Sequence, residues 1–361
     1  MKITAKFGGT SLCDARAMEK AARIVTENGD RKYIVVSAPG KRFPDDDKIT
    51  DLLYRAYEDG NYSPIFDRFA GIAHDLGLDL SLDEAFREIE RETPVRGKDY
   101  LASRGEYLCA RLFSDYIGFP FLDAADGIRF FPDGTPDMPE TAKTLRALLA
   151  PYPRAVLPGF YGSDGHSTVF TFSRGGSDIT GALVAAATDS DLYENWTDVD
   201  GVLSADPKII DNPVFLDIIT YDELRALSAY GATVLHEEAI APVRDAGIPI
   251  RIGHTGKPEK PGTLVVPARD VPIPFVGLSA KSGFAVVCLV GSRPAELAEK
   301  AGEALRAIGE TDVPVCIREE DHACFLCVEE EKKSECLRRI YAGLTEEKHE
   351  KKRTKENENA C

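Results

Sequence analysis

The sequence predicts an α/β protein: an αβα sandwich with a mainly parallel sheet over the first two thirds, then a small α+β domain. Three observations predict it. Apolar runs and amphipathic stretches alternate from the N-terminus to Val266. Lys32-Tyr-Ile-Val-Val-Ser37 is nearly continuous in apolar residues, as in a strand buried on both faces. After the linker Pro267–Pro274, rich in proline, the spacing changes to four short strands and two helices.

The elements follow in order. An apolar strand from Lys2 to Phe7 runs into Gly8-Gly9-Thr10-Ser11, and a helix starts near Asp14. Strand Lys32–Ser37 leads through a loop rich in Pro, Gly and Asp (Ala38–Asp47) to a helix at Lys48–Glu58. Residues 62–118 read as mostly helical, with Leu101, Leu108, Leu112 and Phe113 on one face of the last helix. Short strands are predicted at Phe119–Asp123, Ala155–Leu157 and Thr168–Phe172. A helix of small residues, Gly176–Thr188, precedes a strand near Tyr193–Trp196. Helices around Tyr221 and His236 and strands Ile248–Gly253 and Thr263–Val266 close the first part. Beyond the linker come strands Phe275–Ser279, Phe284–Val290, Val313–Arg318 and Ala323–Glu329, with helices Pro294–Gly309 and Glu331–Ala342. Thr345–Cys361 is almost wholly polar and predicts a disordered tail. The expected domains are therefore residues 1–268, 269–344 and the tail 345–361.

A formal net charge of −16 over 361 residues argues against a nucleic-acid-binding surface, which needs clustered Lys and Arg. No basic segment followed by an apolar one opens the chain, and no apolar run is long enough to cross a bilayer, so a cytoplasmic protein without membrane contact is expected. The cysteines are scattered through apolar contexts and read as reduced thiols. His322, Cys324 and Cys327 lie close together, but the segment reads as a strand and no second CxxC accompanies it; no metal site is expected.

Two glycine turns carry the chemistry. In Lys6-Phe-Gly-Gly-Thr-Ser11, adjacent glycines let backbone N–H groups approach an anion, and Lys6 suits a transferring phosphoryl group. The spacing is not that of GxxxxGK[ST]. In Phe172-Ser-Arg-Gly-Gly-Ser-Asp178, glycines again open a helix; Asp178 reads either as a helix-end charge or as part of a site. Arg174 suits bidentate capture of a carboxylate at the sheet's C-terminal edge.

These motifs, with Val35-Val-Ser-Ala38, Ser103-Arg-Gly-Glu106, Gly159-Phe160, Trp196-Thr-Asp-Val-Asp-Gly-Val202, Asp206-Pro207, Gly231-Ala-Thr-Val-Leu-His236 and Ala246-Gly-Ile-Pro-Ile250, stand in an order that resembles the aspartokinases of the amino-acid kinase superfamily. The resemblance covers Met1 to Val266 and implies the amino-acid kinase fold and transfer of phosphate from ATP, with Mg²⁺, to the β-carboxylate of L-aspartate. It implies Lys6 and Asp178 as catalytic residues, Lys6 on the moving phosphoryl group and Asp178 orienting it. Ser37, Thr50, Glu106 and Arg174 would hold aspartate, its α-carboxylate on Arg174 and its α-ammonium on Glu106. Gly8, Gly9, Thr10, Thr197, Asp198, Lys208 and Lys257 would contact the nucleotide and its phosphates. His236 is read as structural.

The chain departs from the family in a longer loop between Ser37 and Thr50 and in Phe172-Ser173, where Leu-Gly is usual. Leu203 stands in place of an aromatic residue and Lys208 in place of arginine. Aspartokinases usually carry two ACT regulatory modules; here about seventy residues allow one, with Phe275–Ser279 supplying its fourth strand. The resemblance thus implies a homodimer through an ACT-like domain and little response to lysine or threonine. The alternatives are a non-catalytic amino-acid sensor or subunit derived from an aspartokinase, and a kinase with another carboxylate acceptor.

Overall fold

The computed structural model describes the chain except residues 174, 230–234, 236, 281–285, 320–321 and 359–361; of residues 229, 237, 238 and 346–358 it describes the backbone alone. In chain order the elements are β1 (Ile3–Phe7), α1 (Ala15–Glu27), β2 (Arg31–Val36), α2 (Ile49–Asp59), α3 (Ser63–Asp75), α4 (Asp83–Ile117), α5 (Met138–Leu149), β3 (Ala155–Pro158), β4 (Tyr161–Ser163), β5 (Val169–Thr171), α6 (Gly176–Ala187) and β6 (Leu192–Thr197). There follow β7 (Val202–Leu203), β8 (Phe215–Leu216), β9 (Ile218–Thr220), α7 (Tyr221–Ala229), α8 (Glu237–Asp245), β10 (Ile250–His254) and β11 (Thr263–Val266). The remainder holds β12 (Gly277–Ser279), β13 (Val286–Val290), α9 (Pro294–Arg306), β14 (Val315–Arg318), β15 (Ala323–Cys327) and α10 (Lys333–Glu358).

By packing, the chain divides into one unit of Met1–Asp200 with Glu238–Leu264 and a second of Gly201–Glu237 with Val265–Cys361. In the first, strands stand in the order β3-β2-β1-β6-β10-β11, with β3 through β10 paired in parallel. The alternation of β2 shows why the layers number three. Ile34 and Val36 enter one buried cluster with Phe7, Leu53, Phe69 and Phe113, while Tyr33 and Val35 enter another with Leu157, Leu183 and Val184. Each such side chain contributes roughly 1.5–3 kcal/mol on burial. A strand apolar on both faces therefore needs a helical layer on each side.

α4 is not one continuous helix: Gly97 sits at φ 82°, three residues after Pro94, and interrupts it before the half that carries Ser103 to Glu106. The predicted strand Phe119–Asp123 is reduced to a bridge between Phe121 and Val156, because Asp123 already caps a 3-10 turn at Ala124–Asp126.

The second unit contains a four-stranded sheet in the order β12-β13-β15-β14, its pairs all antiparallel. Its core joins Val287, Leu289, Leu326, Leu297, Leu305 and Ile340. Residues 201–237, which the sequence assigned to the first domain, pack here instead. Ala205 and Ile210 enter that core, and Ser204 accepts from the N–H of Leu278 and bonds the Tyr341 hydroxyl at 2.8 Å. Cys324 is buried, its thiol pushed up to about 12 by burial, whereas Cys327 of the same strand is exposed. α10 runs to Glu358, where a disordered tail was predicted from residue 345. Lys, Glu and Arg are good helix formers, and a helix already seeded by buried Leu337, Ile340 and Leu344 extends at small cost.

One buried ion-pair network fixes the central strands. Glu194 on β6 accepts from Arg31 Nε at 2.6 Å and from Trp196 Nε1 at 2.8 Å. Arg31 and Arg251 lie over the Trp196 ring, whose other neighbour is the stacked Phe7. Glu194→Ala strands the Arg31 charge in the interior and is expected to destabilise the fold by about 3–5 kcal/mol, read from urea unfolding.

Candidate active site

β1 is followed by Gly8, whose N–H donates to Trp196 O at 3.0 Å. A Cβ on Gly9 would lie 2.8 Å from Ala38 O, and one on Gly40 would lie 2.8 Å from Gly9 C. The loops after β1 and β2 thus touch backbone to backbone, joined by Gly40 N–H to Gly9 O at 2.8 Å. Glycine is required here for close approach. A 3-10 turn, Gly9–Leu12, stands before α1, and Asp14 caps α1 by accepting from Ala17 N–H at 2.8 Å. Thr10 is exposed at the surface of this turn.

Lys6 shares a face of β1 with Thr4, opposite the apolar face of Ala5 and Phe7. It is only 7% exposed, and its Nζ meets Asp178 Oδ1 at 2.6 Å. Asp178 lies in the first turn of α6. That helix begins at Gly175, which adopts φ 59°, and its first turn is so close to the exit of β3 that a Cβ on Gly159 would fall 2.6 Å from Ser177 Cβ. Two residues of β6 also reach Asp178: Asn195 Nδ2 donates to Oδ1 at 2.8 Å, and the Tyr193 hydroxyl donates to the backbone carbonyl at 3.2 Å. Arg174 and His236 lie outside the described residues.

Glu106 occupies the far half of α4, brought in by Gly105, where a Cβ would lie 2.9 Å from Ala38 Cβ and 3.0 Å from Leu53 Cδ1. Glu106 is 5% exposed, and its Oε2 has no hydrogen-bond partner among the described residues. Burial pushes its carboxyl up to about 8, against the pull of the Ala38 backbone and the Lys6 ammonium. Ser37, half-buried, donates its N–H to Phe7 O at 3.1 Å. Thr50 is half-buried in the first turn of α2, whose leading N–H, from Ile49, donates to Pro39 O.

The long loop between Ser37 and Thr50 is held by an anchor that sequence reasoning missed. Buried Asp46 accepts from Arg42 Nε at 2.8 Å and from Arg68 Nη1 at 2.9 Å, and these guanidinium groups hold its carboxyl well below the usual range. Arg68 also donates to Gly40 O at 2.7 Å and Cys13 O at 3.0 Å, tying the loop to the glycine turn.

On the side of Thr197, which is half-buried, its hydroxyl donates to exposed Asp198 at 3.2 Å. Thr197 O accepts from Thr255 N–H, and Thr255 Oγ1 bonds Ser11 Oγ at 2.6 Å. Lys257 and Lys260 both donate to Asp200, each at 2.8 Å, and hold its carboxyl down to about 2. Lys208 belongs to the second unit, where its N–H donates to Asp206 Oδ1. Thus Lys6, Gly8, Gly9, Glu106 and Asp178 are assembled around the ends of β1 and β2. Asn195 joins them without having been predicted, and Asp200 and Lys260, also not predicted, stand with Lys257 in the segments that follow β6 and β10. Among the described residues, no group of three or more His, Cys, Asp or Glu could hold a metal ion.

Residues 1–254 match the amino acid kinase family. Aspartokinase 3 of Bacillus subtilis is 37% identical over 308 residues, covering 79% of this chain and 68% of the relative. The chloroplastic aspartokinase 2 of Arabidopsis thaliana is 30% identical over 74% of this chain, and the match spans 54% of that relative. Among solved structures, aspartate kinase of Clostridium acetobutylicum superposes with a TM-score of 0.85 at 30% identity, covering 96% of this chain and 99% of that one. E. coli aspartokinase III in complex with aspartate and ADP shares the fold, with a TM-score of 0.80 at 20% identity over 95% of this chain and 100% of that one. The chain belongs to the aspartokinases of the amino acid kinase family.

Proposed function

We propose that this chain transfers the γ-phosphoryl group of ATP to the β-carboxylate of L-aspartate, giving 4-phospho-L-aspartate and ADP, the first step towards lysine, threonine and methionine. A carboxylate oxygen attacks the γ-phosphorus in line while the bond to the β–γ bridging oxygen breaks; no covalent enzyme intermediate and no net proton transfer are needed. Catalysis is then positioning and charge neutralisation. Lys6 takes up charge on the moving phosphoryl group, with the amides around Gly8, Gly9 and Thr10 beside it. Asp178 fixes the lysine. Thr197, Asp198 and Lys257 serve the nucleotide, which enters as its Mg²⁺ complex, the metal lowering the charge of the phosphate oxygens.

Glu106 receives the α-ammonium of aspartate, and Ser37, Thr50 and Arg174 complete the acceptor site. The observation that carries this reading is the presence of a buried ammonium, Lys6, and of a buried carboxyl, Glu106, whose Oε2 has no hydrogen-bond partner among the described residues. A phosphoryl donor and an α-amino acid are what these two groups suit. The same reading puts the enzyme in the cytoplasm and makes residues 269–344 an ACT-like domain that supports a homodimer.

Turnover with ATP and aspartate, trapped as the hydroxamate, tests the reading against glutamate and acetylglutamate; product with aspartate alone is expected. Lys6→Ala is expected to lower kcat at least about 10³-fold, the scale of a lost transition-state charge contact. Glu106 gives a pH signature. Its value of about 8 in the folded protein lies above the ordinary glutamate value of 4.5, so the free enzyme carries the neutral acid below about pH 8. Binding an ammonium favours the carboxylate, so aspartate uptake releases a proton between about pH 5 and 8, and the aspartate KM falls as pH rises through that window. Calorimetry in buffers of different ionisation enthalpy reads the proton, and Glu106→Gln is expected to abolish it. An aspartate KM independent of pH in the unsubstituted enzyme would count against the assignment.

A further inference from the structure

We propose that Asn195 is a positioning residue for phosphoryl transfer, its amide fixing the Asp178 carboxylate so that Lys6 keeps one acceptor and turns its remaining protons towards the phosphoryl group. The proposal rests on the function proposed above and extends it to a residue outside the expected site. Asn195 lies on β6 in register with Lys6 on β1, and parity along β6 places Asn195 with Tyr193 on the α6 side. Both Lys6 Nζ and Asn195 Nδ2 meet the same oxygen, Asp178 Oδ1, at 2.6 Å and 2.8 Å. The terminal torsion of an aspartate is broad, so a single ammonium contact leaves the carboxylate free to swivel. A second donor from a rigid central strand, with Tyr193 holding the backbone of the same residue, removes that freedom.

The other end of the amide supports a functional rather than a packing role. Asn195 is 4% exposed, and its Oδ1 has no hydrogen-bond partner among the described residues. Reversing the amide would set a carbonyl against the Asp178 carboxylate, so Nδ2 must face Asp178 and Oδ1 points away from it. An unpaired buried carbonyl costs stability that a leucine of similar size would not. Asparagine is also a poor strand residue. Its presence here is accounted for by what its donor does for Asp178.

The test uses the full chain with Asn195→Leu, which fills the space, and Asn195→Ala, which empties it. The expectation is a kcat lowered about 10- to 100-fold, as for a misplaced catalytic group, with both KM values within about threefold. The Tm of Asn195→Leu is expected to match or exceed that of the unsubstituted enzyme. A kcat within about twofold in either folded variant, or a loss confined to KM, overturns the proposal. If the unsubstituted enzyme turns over none of aspartate, glutamate or acetylglutamate, the functional reading fails by itself. The crystal structure of Asn195→Leu then decides the inference: an Asp178 carboxylate turned away from Lys6 supports it, and an unchanged contact overturns it.

Discussion

The ion pair between Lys6 and Asp178 is the contact around which the first unit is arranged. An ammonium as buried as Lys6 is tolerated only with an anion in contact, because desolvation penalises an unpaired charge heavily. That need sets where α6 lies. Its first turn must approach the end of β1, and small residues let it. A Cβ on Gly176 would lie 2.7 Å from the Phe160 ring, and one on Gly181 would lie 2.5 Å from the Tyr193 hydroxyl. The near-total burial of α6 follows from the same closeness. A helix of larger residues would stand further from the sheet and carry Asp178 out of reach.

β6 shows how one strand serves both frame and site. Glu194 and Trp196 face one side, where Arg31, Arg251 and Phe7 close a network of charge and aromatic stacking. Tyr193 and Asn195 face the other, where they hold Asp178. A shift of register by one residue would exchange the two sets. The Glu194 network therefore helps to define which residues face the site, and the rigidity of the Lys6–Asp178 pair is inherited from the sheet.

Much of this was legible in the sequence. The two-faced strand at Tyr33–Val36, the glycine turns and the small-residue helix gave the layers and put Lys6 near the end of β1 and Asp178 in the first turn of α6. The rest depends on contacts between segments far apart in the chain. Arg68 and Asp46 meet from a helix and a loop 22 residues apart, and nothing local marks either as an anchor. Asn195 left one trace, a polar residue inside a strand otherwise suited to burial, but its meaning appears only when β6 lies beside β1. The grouping of residues 201–237 with the C-terminal unit escaped for the same reason: Ser204 finds its partners at Leu278 and Tyr341. The tail was misread because composition alone does not distinguish a solvated coil from the continuation of a seeded helix.

The charges of the site also divide by burial, in a way that fits an acidic protein handling phosphate. The described lysines around it are already paired, Lys6 with half-buried Asp178 and Lys257 and Lys260 with the open Asp200. Such pairing keeps the cations oriented without exposing a basic surface that would collect other polyanions. The two pairs differ in how readily they yield. Around Asp200, water screens the attraction and can replace a departing lysine, so an arriving phosphate competes for Lys257 and Lys260 at small cost. At Lys6 the surroundings hold little water, and separating the ammonium from Asp178 would leave that ammonium desolvated. On the proposed function, the Lys6–Asp178 pair therefore persists through binding, with the remaining ammonium protons directed to the reacting group, while the open trio exchanges one anion for another.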